Sequence, residues 1–255
     1  MLHAISRKKT KFYLRYLGHR EKIENHVREE DELTSLIMSP LSFFPPHAIG
    51  LFWQRLLSID HKQIPPSGLI TKATMEFWPR RGGVEPDMVV KLEWSSGERR
   101  CLLVEFKWRA PLSGADQLHK QWRNFLSEEE REHGYHIFIG PELSFAINAL
   151  NRKDVWNGRL LLCSWLHILN LLRGLKNETD GQILFLWMEQ VEGLLGLLHI
   201  HPFVGFNKIE HYQPLPSFPE NWLFWACFFG FDNLSPPNNS MDYSTFFNTN
   251  KGSIQ

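Results

Sequence analysis

Two short stretches of strict alternation, joined by a turn, constrain this chain more than any other feature. From Val84 to Trp94, the residues Met88, Val90, Leu92 and Trp94 fall on one side and Asp87, Val89, Lys91 and Glu93 on the other. From Arg99 to Trp108, Leu102, Val104, Phe106 and Trp108 oppose Cys101, Leu103, Glu105 and Lys107. A period of two is the mark of an extended strand. The residues between, Ser95-Ser96-Gly97-Glu98, are turn formers, so the pair reads as a β-hairpin. A three-residue loop from Ser96 to Glu98, with Gly97 at positive φ, pairs Ser95 with Arg99 and sets Asp87 opposite Lys107 and Val89 opposite Glu105. A two- or four-residue loop would mix charged and large apolar residues on each face, which a half-buried ribbon resists.

Helical periodicity surrounds the hairpin. His26 to Met38 reads as a helix ending before Pro40, since a residue ahead of proline avoids helical geometry. Spacing residues at 100° gathers Leu33, Leu36 and Ile37 on one side and brings Glu30 close to Ile37. Its neighbours Glu29 and Asp31 are acidic too, so the choice among the three stays open. Ala48 to Leu57 is a second amphipathic stretch, followed by a loop around Pro65, Pro66 and Gly68. After the hairpin come a helix (Ala115 to Leu126), a strand (Tyr135 to Ile139), a helix (Leu143 to Leu150), a strand (Leu160 to Ser164) and a helix (Trp165 to Leu172). This order predicts an α/β fold with a mixed sheet and helices on both faces.

A further helix, about Gln182 to Leu198, leads to His199-Ile200-His201 and a proline-punctuated stretch. The segment Trp222 to Phe229 is aromatic and fits either packing on the body or a partner-protein surface. We divide the chain into a core, 1–176, and a C-terminal helical and aromatic appendage, 177–255, whose Asn/Ser/Pro-rich tail from about 235 is expected to be poorly ordered.

Lys plus Arg and Asp plus Glu both number 28, so no global basic field draws the chain to nucleic acid, and any phosphate contact must be local. The candidates are Arg7, Lys8, Lys9, Lys11 and Arg15, then Arg80–Arg81 and Arg99–Arg100. Three widely spaced cysteines form no C-x-x-C pair, which fits a reducing cytoplasm. The basic N-terminus does not read as a secretory signal, and no membrane segment is expected. For His199 and His201 no third metal ligand can be named nearby.

Asp87, Glu105 and Lys107 share one face of the ribbon, and carboxylates crowded beside apolar walls need a cation or a proton to coexist. Oxygen ligands favour Mg2+ or Mn2+, with retained waters, one of which can attack a phosphodiester. Lys107 beside such an ion would hold the attacking water and neutralise charge in the transition state.

Pro86-Asp87, followed across the turn by Glu105-Phe106-Lys107, resembles the PD-(D/E)XK, or restriction-endonuclease-like, nucleases. The resemblance spans roughly residues 25 to 175. It implies a restriction-endonuclease-like sheet flanked by helices and a Mg2+- or Mn2+-dependent phosphodiesterase, endo- or exonucleolytic. Asp87, Glu105 and Glu30 would surround the metal and Lys107 would be the catalytic amine. Gln117, on the helix after the lysine strand, looks like the positioning glutamine of many members. The Tyr that some carry four residues later is replaced here by Gln121. The implied partner is nucleic acid, by family expectation DNA, in restriction, phage defence, mobile-element or repair settings, with a homodimer or partner protein engaged through the C-terminal aromatic region. The alternative is a catalytically silent nucleic-acid-binding or protein-interaction subunit with the same fold.

Overall fold

In the computed structural model, the described residues are 1–19, 29–59, 66, 68–108 and 112–202. They fall in one compact unit, Met1–Pro202. The expected aromatic segment and tail lie outside them, as do residues 26–28 of the first expected helix.

The sheet has five strands in spatial order of sequence: β1 (Ile70–Phe77), β2 (Met88–Trp94), β3 (Arg99–Phe106), β4 (Gly134–Gly140) and β5 (Leu160–Ser164). The first three run antiparallel and the last three parallel, so β3 is the hinge between two pairing modes. Parallel neighbours need a crossover, and helices provide one on each occasion. The crossover from β3 to β4 holds α4 (Gln117–Lys120), a π turn (Gln121–Phe125) and α5 (Glu128–Glu132). That from β4 to β5 holds α6 (Ser144–Arg152), while α7 (Trp165–Lys176) and α8 (Phe185–Leu197) follow β5. Ahead of the sheet come α1 (Leu2–Ser6), α2 (Glu29–Met38) and α3 (Pro46–Leu57). The fold is therefore α/β, with a mixed sheet covered on both faces.

Local chemistry sets these boundaries. Pro46 opens α3 at the position where a missing N–H costs nothing. Ser127 and Ser164 cap α5 and α7, each in a reciprocal capping box with Glu130 and His167. Four acids, Glu29 to Glu32, occupy the first turn of α2, where the helix dipole favours negative charge.

Two cores result. Met88, Val90, Leu92, Trp94, Leu102, Val104 and Phe106 face one core shared with α1, α2, α3, α7 and α8. Val89, Cys101 and Leu103 face the other, under Leu118, Trp122, Phe125 and Leu126. The alternation read from the sequence thus assigns the faces of the hairpin as observed. The helix after residue 176 joins the first core through Trp187, Met188, Val191, Leu194 and Leu195, so the compact unit runs past that boundary to Pro202.

The hairpin register differs from expectation. Glu93 pairs with Arg99 and Met88 with Val104, which places Asp87 opposite Glu105 rather than Lys107. The loop is still three residues long, but it is Ser95–Gly97: Trp94 N–H donates to Glu98 O at 2.9 Å and Gly97 N–H to Trp94 O at 2.9 Å. Gly97, at φ +85°, takes the third loop position, where a type I turn followed by a left-handed residue requires it. A two-residue slip preserves the faces, so the physical argument from burial could not distinguish the two registers.

Strand β1 was not anticipated. It is the edge strand, with Thr71, Lys72, Thr74 and Glu76 exposed along it, and such polar edges weaken the apolar signal. Helix α1 was missed as well, because five residues are too few to show a helical period, although its Leu2 and Ile5 enter the core. No helix among the described residues is long and apolar enough to cross a membrane.

Candidate metal centre

Four side chains, one from α2, one within β3 and two just outside the ends of β2 and β3, converge at the open end of the hairpin. Asp87 immediately precedes β2; its backbone C=O accepts from Trp78 N–H at 2.9 Å and its Oδ2 accepts from Phe106 N–H at 2.7 Å. Glu105 lies near the end of β3, 1% exposed. Lys107 follows β3 and is held by backbone bonds on both sides: its N–H donates to Ile139 O at 2.7 Å, and its C=O accepts from the Trp165 indole at 3.0 Å. Glu30 comes from the first turn of α2.

Lys107 Nζ joins the acids, 2.5 Å from Glu30 Oε1 and 2.7 Å from Glu105 Oε1. The other Glu30 oxygen accepts from Trp108 N–H at 3.2 Å. Glu30, which helical spacing set beside Ile37 with Glu29 and Asp31 left as alternatives, is the acid that stands in the group with Asp87 and Glu105.

Burial governs the electrostatics. It raises the Asp87 carboxyl well above its usual range, and repulsion from Glu105 adds to the rise. Glu30 is raised too, again by burial first, against the opposing pull of Lys107. Burial pulls the Lys107 ammonium down, but Glu105, Glu30 and Asp87 together outweigh it and leave the amine more basic than usual. Three carboxylates against one ammonium leave the cluster short of positive charge.

A hard divalent cation fits this donor set. Ligand oxygens of Glu30, Asp87 and Glu105 all lie within 4.8 Å of one another, the only such group of three or more His, Cys, Asp or Glu among the described residues. Oxygens bound to one Mg2+ stand no more than about 4.2 Å apart, close to the spread of these three ligand atoms. Among the described residues, His199 and His201 belong to no such group.

Gln117 donates from Nε2 to Glu105 Oε1 at 2.5 Å, and its own Oε1 accepts from Ser113 N–H at 2.7 Å. One turn on, Gln121 donates from Nε2 to Glu105 Oε2 at 2.7 Å. Gln121 is the site residue that sequence reasoning set aside, although its four-residue spacing from Gln117 already put both amides on one helix face. Behind it, His136 Nε2 is 3.2 Å from Gln121 Oε1, and the Trp156 indole donates to His136 Nδ1 at 3.0 Å. His136 is fully buried in β4, and burial, with a smaller push from His119, lowers its pKa to about 3.

The basic candidates are mostly neutralised nearby. Arg80 pairs with Glu85, Arg81 with Glu130 at 2.7 Å, Arg99 with Glu93 at 3.3 Å, Arg100 with Glu98 at 3.4 Å and Arg15 with Glu32 at 3.4 Å. Arg7, Lys8, Lys9 and Lys11 are exposed. The 3-10 turn that follows them, Phe12–Leu17, reaches the site through Tyr16 O, which accepts from the Trp108 indole at 2.8 Å.

No family model, curated protein or solved structure matches this chain.

Proposed function

We propose that this protein is a metal-dependent phosphodiesterase of the restriction-endonuclease-like kind, acting on nucleic acid, with DNA as its substrate. One observation carries the reading: Glu30, Asp87, Glu105 and Lys107, from separate parts of the chain, converge on one buried point with excess negative charge. A structural core would gain nothing from three acids and one amine there, because desolvating charge is costly unless each charge is matched. Strained electrostatics of this type cluster at functional sites.

Asp87 and Glu105 would hold the cation directly, with Glu30 beside it. A bound Mg2+ or Mn2+ would supply Lewis-acid activation of water and of a phosphoryl oxygen. The protein's own groups do the remainder. Glu30 and Glu105 hold Lys107 as an ammonium, which is poised to donate hydrogen bonds to an attacking water and to the phosphoryl oxygens as they gain charge. Gln117 holds the plane of the Glu105 carboxylate. Exposed Arg7, Lys8, Lys9 and Lys11, on the segment tied to the site through Tyr16, offer local charge for a phosphate backbone.

The tight contacts of Lys107 with both glutamates favour a second reading, in which the ion pair is structural and the protein is a non-cleaving subunit that binds nucleic acid or another protein. Incubation of supercoiled plasmid and labelled oligonucleotides with Mg2+ or Mn2+ separates the two. Cleavage by the wild type that falls at least 100-fold in Asp87→Ala and Lys107→Ala supports the enzyme, on the scale expected for loss of a charged catalytic group. DNA binding without cleavage in any of the three supports the silent subunit.

A further inference from the structure

Glu105 is gripped by two neutral amides whose orientation is not free. Gln117 is set by Ser113 N–H, which occupies its oxygen and turns its NH2 to Glu105 Oε1. Gln121 is set from further away. An indole N–H can only donate, so Trp156 obliges His136 Nδ1 to be an acceptor. The proton of neutral His136 then sits on Nε2 and points at Gln121 Oε1, 3.2 Å away. That bond leaves the Gln121 NH2 directed at Glu105 Oε2, 2.7 Å away. Donors and acceptors run in one direction, from Trp156 through His136 and Gln121 to the carboxylate.

The chemistry of the last link matters. An amide orients a carboxylate without cancelling its charge, whereas a second ammonium would remove the attraction for a cation. Each Glu105 oxygen thus has one direction occupied by an amide, and Oε1 has a second occupied by the Lys107 ammonium at 2.7 Å, so the two amides orient the carboxylate for an ion without adding a further positive charge.

We propose that His136, acting through Gln121, is a positioning residue that fixes the Glu105 carboxylate for a divalent cation. This rests on the metal-centre reading above. Trp156 serves it by selecting the imidazole tautomer, and the stacking of Trp122 on His136, with ring centroids 6.2 Å apart and planes 7° from parallel, holds the ring's tilt. Loss of partners that orient a metal ligand weakens metal binding by about 10–100-fold.

The test is titration of the full chain with Mn2+, reading free ion by electron paramagnetic resonance, and comparing wild type with Asp87→Asn, Gln121→Met, His136→Leu and His136→Gln. Glutamine at 136 keeps an acceptor for Trp156 and a donor for Gln121, whereas leucine keeps neither. The expected pattern is about 10–100-fold weaker Mn2+ binding in Gln121→Met and His136→Leu, with recovery in His136→Gln. Thermal melts identify any variant that fails to fold; should His136→Leu do so, Gln121→Met carries the same comparison. Wild-type affinity in both Gln121→Met and His136→Leu, with loss in Asp87→Asn, overturns the positioning role while leaving the metal centre standing. Absence of Mn2+ binding in the wild type overturns the metal centre and the positioning role with it. Imidazole nitrogen resonances give an independent reading: the Nε2–H tautomer of His136 is expected, and the Nδ1–H tautomer would overturn the relay.

Discussion

Lys107 Nζ lies 2.5 Å from Glu30 Oε1, joining the end of the hairpin to a helix 77 residues earlier in the chain. The bond ties the first turn of α2 to the sheet. It also supplies the single positive charge within a group of three acids, and this imbalance has consequences for stability that differ in sign from one residue to the next.

Removing the amine should be costly. Lys107→Met leaves Glu30 and Glu105 buried without a counter-charge, and loss of one partner from a buried pair costs about 3–5 kcal/mol. Urea denaturation in EDTA is expected to show a loss of that order. Unchanged stability would mean that solvent reaches the glutamates freely.

Removing an acid should have the opposite sign. Asp87→Asn retains an oxygen for Phe106 N–H and relieves repulsion with Glu105. Without metal, the variant is expected to equal the wild type or exceed it by about 1 kcal/mol, the usual trade of stability against function at a strained site. The same variant should lose Mn2+-induced stabilisation in thermal melts.

The pH dependence follows from the raised carboxyls. Asp87 and Glu30 hold protons more tightly when folded than their ordinary values of 3.8 and 4.5 allow. Between those values and the raised ones the native state binds more protons than the unfolded chain, so stability falls as pH rises through that window. The difference in unfolding free energy between wild type and Asp87→Asn isolates Asp87 from Glu130 and Glu192, whose lowered values act in the reverse sense. That difference should move further in favour of Asp87→Asn as pH rises from about 4 toward neutrality.

Gly140 provides a steric test of the same site. A Cβ there would stand 3.1 Å from Phe138 Cε1 and 3.3 Å from Lys107 Cβ. Gly140→Ala is expected to cost about 1–3 kcal/mol by overpacking and to reduce cleavage by displacing Lys107. Full activity in that variant would show that the lysine stem tolerates displacement.

The faces of the hairpin were legible in the sequence because burial imposes a period of two on Met88 to Phe106. Its exact register was not, since shifting the pairing by two residues leaves every side chain on the same face. Glu30 was recoverable from helical geometry, and Gln117 from its place after the lysine strand. Gln121, one turn after Gln117, was named but not carried to the site, and His136 was not identified: a His inside an apolar strand carries no local mark of what it faces. Only the parallel pairing of β3 with β4, which sets His136 beside Leu103, brings His136 beneath the helix that carries Gln121.

In the proposed function, Asp87 and Glu105 share a divalent cation. Diffraction from crystals soaked in Mn2+, collected at the manganese absorption edge, tests it without reference to any substrate. An anomalous peak is expected about 2.2 Å from oxygens of both residues, absent from crystals of Asp87→Asn. A map with no peak at that point at millimolar Mn2+, with Lys107 still bridging Glu30 and Glu105, would contradict it.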